Sequence, residues 1–303
     1  MWNGSKSDKK MKILIFFAVT TALAVGVLQD VKAAETDTLH IPAVEVVSGL
    51  DDARSLVQRT NGELIITEAG KDRVATFRVE ANDKTSGETN LDTLMPAVEQ
   101  LYVPDLDEPD GLSLVVDTYA AIVSSGTGQV HLLDEHMDYM RSLLVPDWAP
   151  GGHSFHPGDV TSNEYGELFV LDAETHKIYH FNANGSYLQH FELHDMEQSR
   201  RFVYHNESLF VTDPGAGRVH VLTDNGRPLA TIGTFPSLSR LRIIDDLIWV
   251  ISGNVVHLFS MAGEHAGNVM PDPSIHEIRD VAGSDNQVFL LTSGSLYFWN
   301  LQR

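Results

Sequence analysis

The chain contains no cysteine. That excludes disulfides, thiolate metal sites, a cysteine nucleophile and a lipidated N-terminal cysteine. Basic residues are scarce: 21 Lys and Arg stand against 42 Asp and Glu, a formal net charge of -21. Such a surface repels phosphate backbones and anionic headgroups, so neither nucleic acid nor an anionic membrane is expected as the main partner. Beyond residue 33 no stretch is apolar and long enough to span a bilayer. The G-x-S-x-G elbow, the P-loop and H-E-x-x-H are all missing, which removes α/β-hydrolase, nucleotide and zincin readings. What is present suffices for a core: 43% of the 303 residues are hydrophobic, enough for one or two folded domains.

Residues 1–33 have the three parts of a secretory signal. Lys9, Lys10 and Lys12 precede an uncharged apolar run over residues 13–28, followed by Val31-Lys32-Ala33 with small residues at -3 and -1. Cleavage after Ala33 would leave residues 34–303 as a protein exported to the periplasm or the medium, without a membrane span. Met11 competes with Met1 as the start, because the first ten residues are a polar leader of no evident use. Losing the signal removes five lysines and two aspartates, leaving 40 acidic and 16 basic residues. Only Lys71, Lys84 and Lys177 remain as lysines, a balance that suits either a salt-tolerant secreted protein or an ordinary acidic periplasmic one.

A repeat organises the rest. A turn, a short apolar run, a polar loop and an alternating apolar run recur at residues 63–77, 119–133, 167–181, 208–222, 247–259 and 287–299. Anchored on Leu64, Ala120, Leu168, Leu209, Ile248 and Val288, the spacings are 56, 48, 41, 39 and 40. The long first interval holds the polar stretch 80–93, read as an inserted loop. β-Branched and aromatic residues fill the runs, and Asn61-Gly62, Asp110-Gly111, Asn184-Gly185 and Asn225-Gly226 read as turns between them. A period in the forties with several strands per unit points to an all-β, six-bladed β-propeller of four-stranded blades. The last repeat supplies only three strands. Residues 38–46 offer a spare one that would close the ring as the outer strand of blade six and cover a sheet edge.

Blade three carries Pro157, Val160, Gly166, Asp172, Lys177-Ile178, Phe181 and Asn184-Gly185. Blade four carries Val211, Asp213, Arg218-Val219 and Asn225-Gly226, and blade six keeps Asp280-Val281. In this pattern the chain resembles the NHL-repeat propellers, closely in blades three and four and by period elsewhere. The resemblance implies a six-bladed ring whose ligand face is built from the loops entering the inner strands and those joining second and third strands. It implies no single function, since propellers host many.

On that face, just before the inner strands, fall Arg54, Arg200, Arg201, Arg240, Arg242 and Arg279, with Asp110 and Asp159 in blades two and three. Guanidinium forks match planar anions, so these arginines could form a cationic mouth for a carboxylate, phosphate or sulfate. They could equally pair with Asp52, Asp159, Asp245, Asp246 and Asp280 to tie blades together. Glu68, Asp172 and Asp213 sit in comparable loops, either as scattered ligands for Ca²⁺ or as braces for backbone amides. His153 and His156 lie three apart in a Gly-rich loop and could share Zn²⁺ with a third ligand; the loop resembles, faintly, the His-rich loops of the peptidyl-hydroxyglycine lyase branch of six-bladed propellers. His131, His180, His220 and His257 recur within third strands and read as packing residues. The expected function is that of an exported binding or scaffold module for a protein, peptide or anionic small molecule. The alternative is a metal-dependent propeller hydrolase or lyase, lactonase-like or peptidyl-hydroxyglycine-lyase-like.

Overall fold

The computed structural model describes residues 38–40, 42–79, 94–96, 103–147, 155–284 and 287–300. The signal pattern, the insertion 80–93 and His153 lie outside the described residues.

The chain folds into six sheets; four are simple antiparallel meanders, and blades five and six each add a strand from the N-terminal segment. The inner strands are Ala53–Gln58, Pro109–Val115, Pro157–Ser162, Phe202–His205, Leu238–Ile244 and Asp280–Ser284. Each contacts the next around the ring, and that of blade six contacts that of blade one. The second strands are the most apolar and the most buried. Leu64, Ile65 and Ile66 in blade one, Leu168–Asp172 in blade three and Leu209–Val211 in blade four are fully inside. A strand covered on both faces reads as a continuous apolar run rather than an alternating one. That is why the repeat was visible.

Six apolar clusters hold the ring, one at each blade interface. Between blades three and four, Phe169, Leu171 and Ile178 meet Phe202, Leu209 and Leu222. Where the ring closes, Leu56, Leu64 and Phe77 meet Phe289, Leu291 and Phe298. Closure uses the N-terminal segment, but in two pieces. Ala43–Ser48 pairs antiparallel with Ser295–Asn300 as the outer strand of blade six. The preceding Thr38–His40 runs parallel to His265–Met270 and adds a fifth strand to blade five. The expected single strand 38–46 is therefore broken around Pro42. Proline has no N–H for a ladder and tolerates only an edge or a break.

One expected turn is not a turn. Asp110-Gly111 lies inside the inner strand of blade two. Gly111 is there for a close approach: a Cβ would stand 2.6 Å from Asp159 Oδ1 and 2.8 Å from Asp159 Cα. The histidines of the third strands pack as expected. His131 Nδ1 bonds Ser142 Oγ at 3.0 Å, His257 Nδ1 bonds Asn268 Oδ1 at 2.8 Å, and His180 stacks on Phe169.

Candidate functional site: an arginine-lined channel mouth

The inner strands begin with a repeated irregularity. In blades one, two, three and five the register slips at the first residues of the inner strand, between Ala53 and Ser55, Pro109 and Leu112, Pro157 and Asp159, and Leu238 and Arg240. Each slip is a β-bulge carrying one extra residue, and a bulge re-aims the side chain it carries. Three bulge residues, Arg54, Asp110 and Ser239, line one cavity of about 380 Å³ at this end of the channel. The other walls come from Asp52 in blade one, from Arg200 and Arg201 ahead of the inner strand of blade four, and from Arg240 and Arg279. Five guanidinium groups thus face two carboxylates across walls that are almost wholly polar.

Beneath the cavity the arginines cross the channel. Arg201 of blade four reaches over blade three: Nη2 meets Asp110 Oδ1 at 2.5 Å in blade two, and Nη1 donates to the Gly158 carbonyl at 2.9 Å. Arg240 of blade five spans to blade one, with Nη2 donating to the Arg54 carbonyl at 2.9 Å. Arg242 grips Asp280 with Nε at 2.9 Å and Nη2 at 2.6 Å. Asp280 Oδ2 also accepts the Leu56 amide at 2.8 Å, and Asp159 Oδ2 accepts the Phe202 amide at 3.1 Å. These side chains form a polar plug that ties blades across the ring. On its far side a smaller cavity of about 180 Å³ is walled mainly by apolar residues such as Val57, Leu114 and Ile243, with Arg242 at its edge.

The plug is electrostatically tense. Burial works against the charge of Asp110, but Arg201, with Arg240 and Arg54, holds its carboxyl below the ordinary range. Burial raises Asp159 in spite of Arg201, Arg240 and Arg242. Burial also brings Arg240 down to about 10, against the pull of Asp280 and with the push of Arg201 and Arg242. Arg240 is 3% exposed, and its Nη1 makes no hydrogen bond, Asp280 Oδ2 being 3.4 Å away. Arg279 Nε is buried and unbonded as well. The Arg200 side chain, exposed at the rim, has no hydrogen bond or ion pair among the described residues.

Of the sequence candidates, Arg54, Arg201 and Arg279 come together at the mouth, joined by Arg200 and Arg240. Arg54 is held by Asp52 through Nε and Nη2 at 3.0 and 2.8 Å. Arg242 belongs to the plug instead. Asp172 and Asp213 do not line the mouth. Asp172 accepts the amides of His156, Glu174 and Thr175, and Asp213 those of Glu197, Gln198 and Ala216. Glu68 does the same for Asp51 in blade one, and Ser124 and Ser252 take the part in blades two and five. These groups brace the loops that deliver the inner strands. His156 faces Glu174 at 3.1 Å, both exposed. Sequence reasoning missed Ser239 as a lining residue; no residue-type signal marks a bulged serine.

Solved propellers share this shape at low sequence identity. No family model matches the chain. A gluconolactonase from Xanthomonas campestris superposes with a TM-score of 0.66 at 12% identity, over 86% of this chain and 89% of that one. A catalytically inactive virginiamycin B lyase from Staphylococcus aureus, solved with quinupristin, gives 0.57 at 13% identity, over 86% and 88%. A chain from a nidogen/laminin complex gives 0.59 at 12% identity, over 76% and 84%. The chain has the six-bladed propeller fold. At these identities the likeness carries the fold alone. Two of the three neighbours are enzymes, and the third comes from a protein–protein complex.

Ca²⁺ or Zn²⁺ needs several oxygen or imidazole ligands converging without competing cations. Among the described residues no three His, Asp or Glu side chains form such a group. At the mouth five arginines would repel a cation, and Asp110 is already taken by Arg201. The mouth does not fit a metal.

Proposed function

We propose that the protein holds an anionic small molecule in the mouth of its channel and acts from there as an exported binding module. One observation carries this reading. A chain with twice as many acidic as basic residues gathers five arginines against two aspartates in a single cavity, with a buried Nη1 of Arg240 left unbonded. Guanidinium donors recognise carboxylate, phosphate and sulfate by paired hydrogen bonds. A ring closed by six apolar interfaces presents them at little entropic cost. Export rests on the signal pattern of residues 1–33.

The test is calorimetric titration of the purified protein with citrate, inorganic phosphate and sulfate at fixed ionic strength. Saturable binding of at least one, weakened in Arg200→Ala, supports the reading. A flat titration with all three would overturn it.

An enzymatic reading stands second, favoured by the gluconolactonase and the virginiamycin B lyase among the propellers of this shape. The mouth would then hold an anionic substrate. Its metal-dependent form draws no support from the donors found there. Incubation with gluconolactone and with quinupristin, each with Ca²⁺ or with chelator, separates the two readings: turnover decides for an enzyme. The nidogen/laminin likeness lends a protein partner some support, and pull-down with the channel face blocked by mutation would address it.

A further inference from the structure

The disposition of charge around the mouth says more than its sign. The cations with hydrogen-bonding capacity to spare are not spread evenly. Arg200 precedes the inner strand of blade four, Arg240 lies on that of blade five, and Arg279 precedes that of blade six. They therefore occupy three consecutive blades on one side of the cavity. The opposite side, blades one and two, carries Asp52, Arg54 and Asp110.

The commitments of these groups differ in the same way. On the far side Arg54 is satisfied by Asp52, and Asp110 is satisfied in part by Arg201 from blade four. On the near side the Arg200 side chain has no partner among the described residues. Arg240 has a buried Nη1 that makes no hydrogen bond and only a loose ion pair with Asp280 at 3.4 Å. Arg279 has a buried, unbonded Nε, and its one ion pair is with Glu277 at 3.2 Å, where the acid is 67% exposed. An exposed pair of that kind holds little energy. Counting the lining groups with the plug beneath them, six arginines meet the four carboxylates of Asp52, Asp110, Asp159 and Asp280, an excess of two positive charges. A single monoanion would leave part of that excess unmatched.

We infer, on the reading that the mouth binds anions, that its ligand is a small polyanion of two or three charges, gripped at separate points by Arg200, Arg240 and Arg279. The cavity of about 380 Å³ lies within the range of ordinary small-molecule sites and excludes a long polyanionic chain. The acidic surface does not forbid this. At physiological salt the Debye length is about 8 Å, so the distant carboxylates are screened while the lining arginines act at contact. The almost wholly polar walls exclude a ligand that brings a large apolar body with its charges.

The experiment is a charge ladder at constant ionic strength: acetate, succinate and propane-1,2,3-tricarboxylate, with pyrophosphate as a separate arm, titrated by calorimetry. The expected result is a gain in affinity of at least tenfold from acetate to succinate, and again to the tricarboxylate. A tighter grip on pyrophosphate than on the tricarboxylate would keep the polyanion and assign it phosphate chemistry. Arg200→Ala tests the points of contact without risk to the fold, because the side chain is exposed and holds nothing else. It should flatten the ladder by one step, and Arg279→Ala by another, with the melting temperature of the free protein unchanged. Equal affinity for all three carboxylates would overturn the inference while leaving anion binding intact. No binding of any probe would instead remove the reading on which it rests. A full ladder persisting in both variants would also overturn it, since the charges read would then lie elsewhere.

Discussion

Asp280 is the residue on which the plug turns. It is fully buried and accepts the Leu56 amide, the Nε and Nη2 of Arg242, and the charge of Arg240 at 3.4 Å. Replacing it with alanine would leave the guanidinium groups of Arg240 and Arg242 without their counter-ion and two inner-strand amides, of Leu56 and Val281, without this acceptor. Removing one partner of a buried ion pair costs about 3–5 kcal/mol. For a domain of this size each kcal/mol moves the melting temperature by roughly 2–4 °C, so Asp280→Ala should lower it by roughly 6–20 °C. Arg242→Met should cost less. Asp280 would still hold the Leu56 amide and face Arg240, and the methionine would fill the guanidinium stem's place beside Leu56 and Ile243. The assay is thermal unfolding of the three proteins followed by circular dichroism at neutral pH. A loss under about 2 °C for Asp280→Ala would refute the claim that the plug staples the ring. So would a larger loss for Arg242→Met than for Asp280→Ala.

Two further outcomes are expected. His131 and His257 are lowered by burial, as are His190 and His220, so the folded protein resists protonating them. Below their ordinary value near 6.5 the unfolded chain binds more protons than the folded one, and stability must fall as pH drops through that point. The melting temperature should decline between pH 7.5 and 5.5, and His131→Gln should reduce the slope; a flat profile in the parent protein would contradict this. Deleting residues 1–48 would strip Ser295–Asn300 of its partner strand and uncover the face where Val46 and Val47 pack on Phe298. Size-exclusion chromatography should then show association through the open edge, whereas a monodisperse monomer of unchanged melting temperature would show that the ring does not depend on this closure.

The blades were legible in the residues because their cause is local. A second strand buried on both faces must be continuously apolar, as in Leu168–Leu171 and Leu247–Ile251, and such runs recur wherever a blade recurs. The loop braces were half legible: Asp172 and Asp213 stood out, while Ser124 and Ser252, which do the same work, did not. Asp110-Gly111 was misread as a turn because the dipeptide has two uses. Here glycine makes room for Asp159 of the next blade, a neighbour distant in sequence.

By itself, then, the sequence determined the strand-rich repeat, the number of blades, the charge balance and the presence of unusual arginines ahead of the inner strands. Their division of labour was decided only by tertiary structure. Arg54 and Arg279 lie at opposite ends of the domain, and only ring closure makes them neighbours. Arg54 lines the mouth from a one-residue bulge at the start of its strand, whereas Arg242, two residues further along its strand than Arg240, fills the plug. A bulge is set by how the strand meets its partner and the next blade, and composition does not encode it. The excess of positive charge in the mouth is likewise a property of the assembled ring, because a guanidinium's partners are chosen by distance in space rather than along the chain.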